Sequence, residues 1–286
     1  MWEVNRMRKM YADISEHNSV VSLHALDGVM IRAGYGDEAG GAVDKKLDKH
    51  VKLAEKAGIP YGFYWYGYSQ TPEQAKSEAA FCLKTIKKYK PTLPIAYDLE
   101  DGDGYKAAHG GIPSKSVNTQ IVINFCEALE DAGYYAMYYL NYDWWANRVN
   151  HTKLEDYALW LAWWGRDTKP DVASNEFMWQ YTSDGKVEGI SGRVDLNYCY
   201  VDFVSAIKEN GLNGYTPTGS GSAKPSTGIK VGDKVKVLKA VQYDNGNTFG
   251  VYYNTYDVIE VKGDRVVIGI GDTVTAAVHR KNLKKV

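Results

Sequence analysis

The sequence predicts an α/β fold: a (β/α) TIM-like barrel with helices missing near its end, followed by a small all-β barrel. Three observations predict it. Strands alternate with helices up to about residue 210, which favours a parallel sheet. Eight candidate strands in that stretch favour closure into a barrel. The stretch 211–228 is rich in Gly, Ser, Thr and Pro and is typical of a flexible linker.

The first half of the barrel region alternates regularly between the two element types. The run Thr71-Pro72-Glu73-Gln74 predicts a helix start, because it combines a capping box with proline at the first helical position. We predict strands over 9–14, 28–33, 59–66 and 93–97, and helices over 44–57, from residue 72 onward and over 116–131.

The second half of the region is different, because its strands follow one another closely. We predict strands over 134–139, 159–164, 177–182 and 193–196. The connections 165–176 and 183–192 leave little room for a helix and two loops. We therefore divide the chain into a catalytic barrel domain (1–210), a linker (211–228) and a small all-β domain (229–286).

Composition excludes several classes of function. The 286 residues carry a net charge of −1, so no global field attracts nucleic acid or an anionic membrane. No apolar run is long enough to span a membrane, and the N-terminus lacks the apolar core of a signal peptide. The three cysteines, Cys82, Cys126 and Cys199, form no CxxC pair, so we expect them to be reduced and buried. We expect no metal and no cofactor. The oligomeric state stays open.

The segment Asp98-Leu99-Glu100 is the most informative one. It ends a buried strand, and alternation places Asp98 and Glu100 on one face and Leu99 on the other. Neighbouring carboxylates on one face push one pKa upward, which suits the proton donor of glycoside hydrolysis. The simpler alternative is that this segment is an acidic turn without a catalytic role. Asp13 and Asp195 also lie at predicted strand ends, where barrel active sites form, and this favours a site.

Further side chains are candidates for a sugar-binding cleft. The chain holds 23 Tyr and 8 Trp, and flat aromatic rings suit the faces of sugars. For each aromatic candidate, a place in the core is an equally good interpretation. Arg32 is a candidate counter-charge or a rim salt bridge, and Gln180 is a polar residue in an apolar strand. The aromatic candidates, from strands three, five and six, are Tyr64, Tyr66, Tyr138 and Trp163.

Residues 8 to about 205 resemble the family 25 glycoside hydrolases, the lysozymes of bacterial and phage origin. The most specific part is 178–197, with Met178-Trp179-Gln180-Tyr181-Thr182 and Gly192-Arg193-Val194-Asp195-Leu196-Asn197 in the family's order and spacing. Earlier matches, in the same order, are the runs 11–15 (YADIS), 31–36 (IRAGYG), 62–66 (GFYWY), 98–100 (DLE) and 159–162 (LWLA). The residues before the first strand have no counterpart in this pattern.

The resemblance implies an N-acetylmuramidase that cleaves the β-1,4 bond between N-acetylmuramic acid and N-acetylglucosamine in peptidoglycan. It implies Glu100 as the catalytic acid/base and Asp98 as the group that orients or stabilises the substrate's 2-acetamido group or the charged intermediate. Asp13 and Asp195 complete the acidic cluster. The expected outcome is net retention with substrate assistance.

The terminal domain resembles a bacterial SH3-type cell-wall-binding domain through Tyr253-Asn254-Thr255-Tyr256-Asp257-Val258 and the Gly-Asp pair at 263 and 264. Together with the missing signal peptide, this organisation resembles a phage endolysin, made in the host cytoplasm and acting on the wall after release. Two alternatives remain: a chitinase-like hydrolase of another N-acetylated glycan, and a non-catalytic wall-binding protein. The four carboxylates count against the second, and the wall-type domain counts against the first.

Overall fold

The computed structural model describes residues 9–172, 177–218, 229–262, 264–271 and 273–286. The chain divides into two compact units, residues 1–221 and residues 222–286. The additional N-terminal residues 1–8, most of the predicted linker and Gly263 of the predicted turn lie outside the described residues.

The first unit is built on a closed barrel of eight strands. Neighbours around the barrel are also neighbours in the chain, and pairing of the first strand with the second closes it. All neighbours are parallel except the last strand, which runs antiparallel to both of its neighbours. The strands are β1 (Lys9–Ile14), β2 (Gly28–Tyr35), β3 (Tyr61–Tyr66), β4 (Ile95–Asp98), β5 (Ala136–Asn141), β6 (Ala158–Ala162), β7 (Phe177–Gly185) and β8 (Val194–Cys199).

Helices accompany mainly the first half of the barrel. Within the described residues that connect β6 to β7 and β7 to β8, there is no helix, in agreement with the short spacing. Single helical turns at Trp144–Arg148 and His151–Lys153 connect β5 to β6. The helices are α1 (Leu47–Ala57), α2 (Pro72–Ile86), α3 (Tyr105–Ala108), α4 (Lys115–Asp131) and α5 (Phe203–Glu209).

The predicted capping box at the start of α2 is confirmed. The backbone N–H of Gln74 donates to Oγ1 of Thr71 at 3.2 Å, and the backbone N–H of Thr71 donates to Oε1 of Gln74 at 3.1 Å. Two of the free backbone N–H groups at this end are thereby satisfied. The helix start fixes the loop that follows β3, which borders the site described below.

Strand alternation separates the apolar core into two layers. Side chains such as Met30, Ala96 and Met137 fill the barrel interior, together with residues of α5. Their strand neighbours, such as Ile31 and Tyr97, pack outward against the helices. Both faces of each strand are therefore buried, which explains the nearly continuous apolar runs. The three cysteines are free and buried, as predicted.

The beginning of the predicted linker is anchored to the barrel. Asn213 is buried, accepts a hydrogen bond from the backbone N–H of Tyr135 at 2.9 Å, and donates to the carbonyls of Pro91 and Leu93 at 3.0 Å each. Tyr215 adds a bond to the carbonyl of Lys90. Residues 211–218 therefore belong structurally to the barrel, although their composition is typical of a linker.

The second unit is all-β, as predicted. Its five strands form one antiparallel sheet, in the spatial order 273–279, 265–270, 256–262, 234–237 and 283–285. Nine apolar side chains, among them Val235, Tyr256 and Val266, form a separate core. The described part of the chain contains no helix long and apolar enough to cross a membrane. The strands are β9 (Lys234–Val237), β10 (Tyr256–Lys262), β11 (Arg265–Ile270), β12 (Thr273–His279) and β13 (Leu283–Lys285).

Candidate active site

Four carboxyl groups meet at one rim of the barrel. Asp13 lies near the end of β1, Asp98 ends β4, and Glu100 follows two residues later. Asp195 lies near the beginning of β8, not at the end of a strand as its sequence position suggested. Because β8 is antiparallel, its first residues lie at the same rim as the ends of the other strands, and Asp195 pairs directly with Asp13.

The carboxyl groups line a cavity of about 170 Å³. A second cavity, of about 390 Å³, lies beside it, and Arg32, Tyr66 and Glu100 line both. Glu100 therefore stands where the two cavities meet. The first cavity is lined by Asp13, Arg32, Tyr64, Tyr66, Asp98, Glu100, Tyr139, Trp160, Gln180 and Asp195. The second is lined by Glu16, His17, Arg32, Tyr35, Tyr66, Tyr68, Glu100, Gly102 and Asp103.

Amide side chains hold Asp13 in place. Its Oδ2 atom accepts hydrogen bonds from Gln180 Nε2 at 3.0 Å and from Asn197 Nδ2 at 2.9 Å. The orientation of both amides is fixed in turn, since Trp160 Nε1 donates to Asn197 and Tyr139 Oη donates to Gln180. Trp164 Nε1 also donates to Gln180, at 3.0 Å.

Burial raises the pKa of Asp13 well above its usual range, and the charge of Asp195 raises it further. Burial also raises the pKa of Asp195, whereas its hydrogen bond with Asp13 lowers it. The shared hydrogen bond thus favours the proton on Asp13, with Asp195 as acceptor. The pair presents less negative charge to the cavity than two free carboxylates would.

Asp98 and Glu100 share one face of the strand, as alternation predicts. Leu99 between them is fully buried on the opposite face. Burial raises the pKa of Glu100 to about 7, an effect that the charge of Lys106 opposes and that of Asp195 reinforces. Burial, followed by the charge of Glu100, also raises the pKa of Asp98. A carboxyl group with a pKa near 7 suits proton donation to a leaving group at neutral pH.

Asp98 has unused hydrogen-bonding capacity. Its Oδ1 atom is buried and has no partner among the described residues. A buried acceptor without a donor is costly, so it is uncommon in a folded protein unless a ligand supplies the donor. A carboxyl group in this position suits a substrate N–H group or a developing positive charge.

Arg32 combines a salt bridge at the rim with a position beside the acidic cluster. Its Nε donates to Asp44 at 2.8 Å and its Nη2 to Glu16 at 3.0 Å, which makes it part of a salt bridge at the rim. Its guanidinium also lines both cavities and counteracts the raised pKa of Asp98. Tyr64, Tyr66 and Gln180 line the first cavity, as predicted.

Two predicted cleft residues lie elsewhere. The prediction that Tyr138 lines the cleft is wrong, because its side chain points outward into the core beneath the helices. Its neighbour Tyr139 lines the cavity instead. Trp163 does not line either cavity: its ring stacks on Tyr142, with centroids 3.6 Å apart, and Arg166 lies over it.

Sequence reasoning missed Tyr139, Trp160, Asn197 and Lys106. Tyr139 is next to the predicted Tyr138, and Trp160 lies three residues before the predicted Trp163. Alternation could have found them had the inward face of each strand been known. Lys106 is fully buried and its ammonium donates to the backbone carbonyls of Gly67 and, at 2.8 Å, Glu100. Nothing in its local sequence distinguishes it from a surface lysine.

A barrel rim with a high-pKa carboxyl group beside further buried carboxyl groups has the chemistry of a glycoside hydrolase. Comparison with known families agrees. Residues 12–190 match the family model of the glycosyl hydrolases family 25, which covers more than half of the chain, and the chain belongs to this family. The resemblance inferred from the sequence motifs is therefore confirmed.

Individual relatives each match part of the chain. The autolytic lysozyme of Clostridium acetobutylicum is 30% identical over 144 residues, which is 50% of this chain and 40% of that protein. The CTP1L endolysin structure has a TM-score of 0.59 at 26% identity and covers 71% of this chain and 70% of that one. The structure of the autolysin LytC of Streptococcus pneumoniae, solved with a synthetic peptidoglycan ligand, has a TM-score of 0.57 at 27% identity. The match covers 68% of this chain and 47% of that one.

Proposed function

We propose that the protein is an endolysin-type N-acetylmuramidase that hydrolyses the β-1,4 bond between N-acetylmuramic acid and N-acetylglucosamine in bacterial peptidoglycan. One observation carries the proposal: Glu100, with a pKa raised to about 7, stands where two cavities meet. A glycan that occupies both cavities has its bond beside Glu100. The names of the related lysozyme, endolysin and autolysin support peptidoglycan as the substrate.

In this proposal Glu100 first donates its proton to the oxygen of the leaving sugar. Asp98, whose Oδ1 has no partner among the described residues, orients the substrate's 2-acetamido group and stabilises its positive charge as that group attacks the sugar carbon. Glu100 then removes a proton from the water that opens the intermediate. Two displacements at one carbon give net retention.

Asp13 and Asp195 have a supporting role in the proposed reaction. Asp13 accepts the hydrogen bonds of Gln180 and Asn197, and the charge of Asp195 adds negative potential close to Glu100. That potential favours the protonated form of Glu100 and the positive charge that develops on the sugar. The cluster thereby keeps the acid ready before substrate arrives.

The second unit, from residue 229 to the end, is proposed as an SH3-like cell-wall-binding domain. It has its own core, and neither of the two cavities that contain the acidic groups includes any of its residues. The protein is proposed to be made in the host cytoplasm and to act on the wall after release. A wall-binding domain would raise the concentration of the barrel at its insoluble substrate.

Purified peptidoglycan provides the test. The wild-type protein should release new reducing ends on muramic acid, and Glu100→Gln should lose about 10²–10⁴-fold of this activity. Exposed Glu188→Gln is the matched control and should hydrolyse like the wild type. New reducing ends on glucosamine would indicate a different bond specificity, and a folded protein without product would indicate a non-catalytic binder.

The stereochemical part is tested separately by NMR of the first-formed anomer. A β product from the β bond is the result expected for retention. An initial α product would mean that water attacks directly, and the substrate-assisted step would be wrong even if the bond specificity were correct.

A further inference from the structure

Charge is distributed unequally between the two units. Residues 229–286 contain ten lysines and arginines and six acidic residues, a net charge of +4, whereas the remainder of the chain has 24 basic and 29 acidic residues, a net charge of −5. The near-neutral total conceals this difference. A basic unit attached to an acidic enzyme favours attachment to a polyanion through the basic unit alone.

The acidic groups that the structure describes in the second unit each lie beside a basic side chain. Asp233 pairs with Lys285, Asp257 with Lys234, and Asp264 with His279. Asp244 and Glu260 both pair with Arg265. All five acidic side chains that the structure describes here therefore have a basic partner within the unit, and the excess positive charge lies on other side chains.

Two of those side chains lie directly opposite each other. Lys236 on β9 and Lys284 on β13 are cross-strand partners, and both are exposed. Neither has an ion pair or side-chain hydrogen bond among the described residues. Like charges in this position destabilise a sheet. Lys239, also exposed and without an ion pair in the described part of the chain, follows β9 closely.

Protection of a sheet edge does not explain both lysines. Lysine on an edge strand prevents pairing with another chain, and β13 is an edge strand. However, β9 lies inside the sheet, between β10 and β13, so Lys236 protects no edge. The opposed pair costs stability that an anion bound between the two ammonium groups would restore.

We propose that Lys236 and Lys284 form a binding site for a phosphate-bearing anionic polymer of the bacterial wall. The inference rests on the proposed function, since it presumes a protein that acts on walls. Two ammonium groups on neighbouring strands suit a chain of repeated phosphate charges, because lysine binds phosphate as a point charge. Carboxylates are better matched by the planar fork of arginine, and Arg265 is occupied by Asp244 and Glu260.

The test measures binding of the full-length chain to two wall preparations. One is purified walls that contain phosphodiester-linked polymer, and the other is the same walls after acid removal of that polymer. Glu100→Gln serves as the background so that the walls are not consumed. We expect binding to the stripped walls to be at least tenfold weaker, and binding to the intact walls to fall with added salt.

Charge variants locate the site. Each lysine near an anionic surface contributes about fivefold to binding, so Lys236→Gln/Lys284→Gln should weaken binding to intact walls by roughly 25-fold. Lys236→Arg/Lys284→Arg should retain most of the binding. The control Lys76→Gln/Lys87→Gln removes the same charge from exposed positions of the barrel unit and should bind like the parent. A thermal unfolding curve for each variant shows that it is folded.

Three results would overturn the inference. Equal binding to intact and stripped walls would place recognition on the peptidoglycan itself. Full binding by the Gln pair would exclude these lysines, and a loss with Tyr252→Ala alone would point to the exposed Tyr252, which suits a neutral glycan. Release of reducing ends from stripped walls by the wild type is measured in parallel, so failure of the anion site remains distinct from failure of the proposed hydrolysis.

Discussion

Asp13 and Asp195 are cross-strand partners on adjacent antiparallel strands, although they come from opposite ends of the barrel sequence. Two carboxylates in this position repel each other, and burial adds to the cost of ionising both. In return, Asp13 accepts hydrogen bonds from Gln180 and Asn197, and the charge of Asp195 raises the pKa of Glu100. We therefore expect a trade-off between stability and activity at this pair.

Asp195→Asn should stabilise the fold and weaken catalysis. Removing one charge relieves the repulsion, by roughly 0.2–1 kcal/mol for like charges across a strand pair. The pKa of Asp13 is raised, so the folded state binds more protons than the unfolded state, and the repulsive cost grows as the pH rises above the usual carboxyl pKa. The melting temperature of Asp195→Asn should therefore exceed that of the wild type by more at pH 7.5 than at pH 4.

The control for this variant is Asp184→Asn on β7, where the carboxylate is exposed and 3.8 Å from Arg193. It should change neither melting temperature nor turnover appreciably. An Asp195→Asn protein that is less stable than the wild type at pH 7.5 would show that the pair is net stabilising, contrary to the burial argument.

Glu100 should make folding less favourable as the pH rises. Its folded pKa of about 7 lies above the unfolded value, so the folded state holds an additional proton between the two values. Stability should fall through this window, from about pH 4.5 to about pH 7, and the loss should be complete above it. Glu100→Gln removes the titrating group, and its melting temperature should therefore depend less on pH across that range.

Activity should decline over the top of the same window, because hydrolysis needs the protonated acid. The matched control is Glu188→Gln, whose stability profile should follow that of the wild type. Identical pH dependence of melting in Glu100→Gln and wild type would mean that Glu100 titrates at the same pH in both the folded and the unfolded chain.

Asp98→Asn should reduce kcat more than it raises KM. The proposed partner of Asp98 is the charge that develops in the transition state, which a neutral amide stabilises poorly. Turnover of soluble glycan fragments at several concentrations separates the two constants. If KM rises while kcat is unchanged, Asp98 binds the substrate without assisting the reaction.

Much of the barrel could be predicted from the sequence because strands and capped helices carry local signals, as at Thr71 and Gln74. The face of each strand that points into the barrel could not be predicted, because both faces are buried. No apolar–polar alternation therefore separates Tyr138 from Tyr139. The direction of β8 was also missed. Its short connection to β7 is typical of an antiparallel pair, whereas the strand-end position predicted for Asp195 presumes a parallel strand.

Ending the chain at Thr218 should leave a folded, active barrel. The anchoring of Asn213 and Tyr215 to the barrel places their segment with the first unit, so a cut at residue 210 should be destabilising whereas one after residue 218 should not. Thermal unfolding of the two truncated chains checks this. The longer one should hydrolyse soluble glycan fragments like the full chain and act poorly on whole cells, since it lacks the proposed wall-binding unit.

Equal lysis of cells by the full chain and by the chain that ends at Thr218 would show that the second unit has another role. Equal stability of the two truncations would show that the bonds of Asn213 contribute nothing measurable, despite its burial.

Tyr139→Phe and Tyr138→Phe provide a matched pair that tests which face of β5 serves the site. The Tyr139 hydroxyl donates to Gln180 at 3.2 Å, and Gln180 donates to Asp13, so its loss removes one of the two donors, the other being Trp164 Nε1, that fix the amide that holds Asp13. Loss of one hydrogen bond costs about 0.5–1.5 kcal/mol, and if about 1 kcal/mol of this appears in the transition state, kcat falls roughly fivefold. Tyr138→Phe alters the outer core and should leave kcat unchanged. Turnover by both variants on the same soluble glycan decides the matter: a loss with Tyr138→Phe and none with Tyr139→Phe would reverse the assignment of the strand's faces.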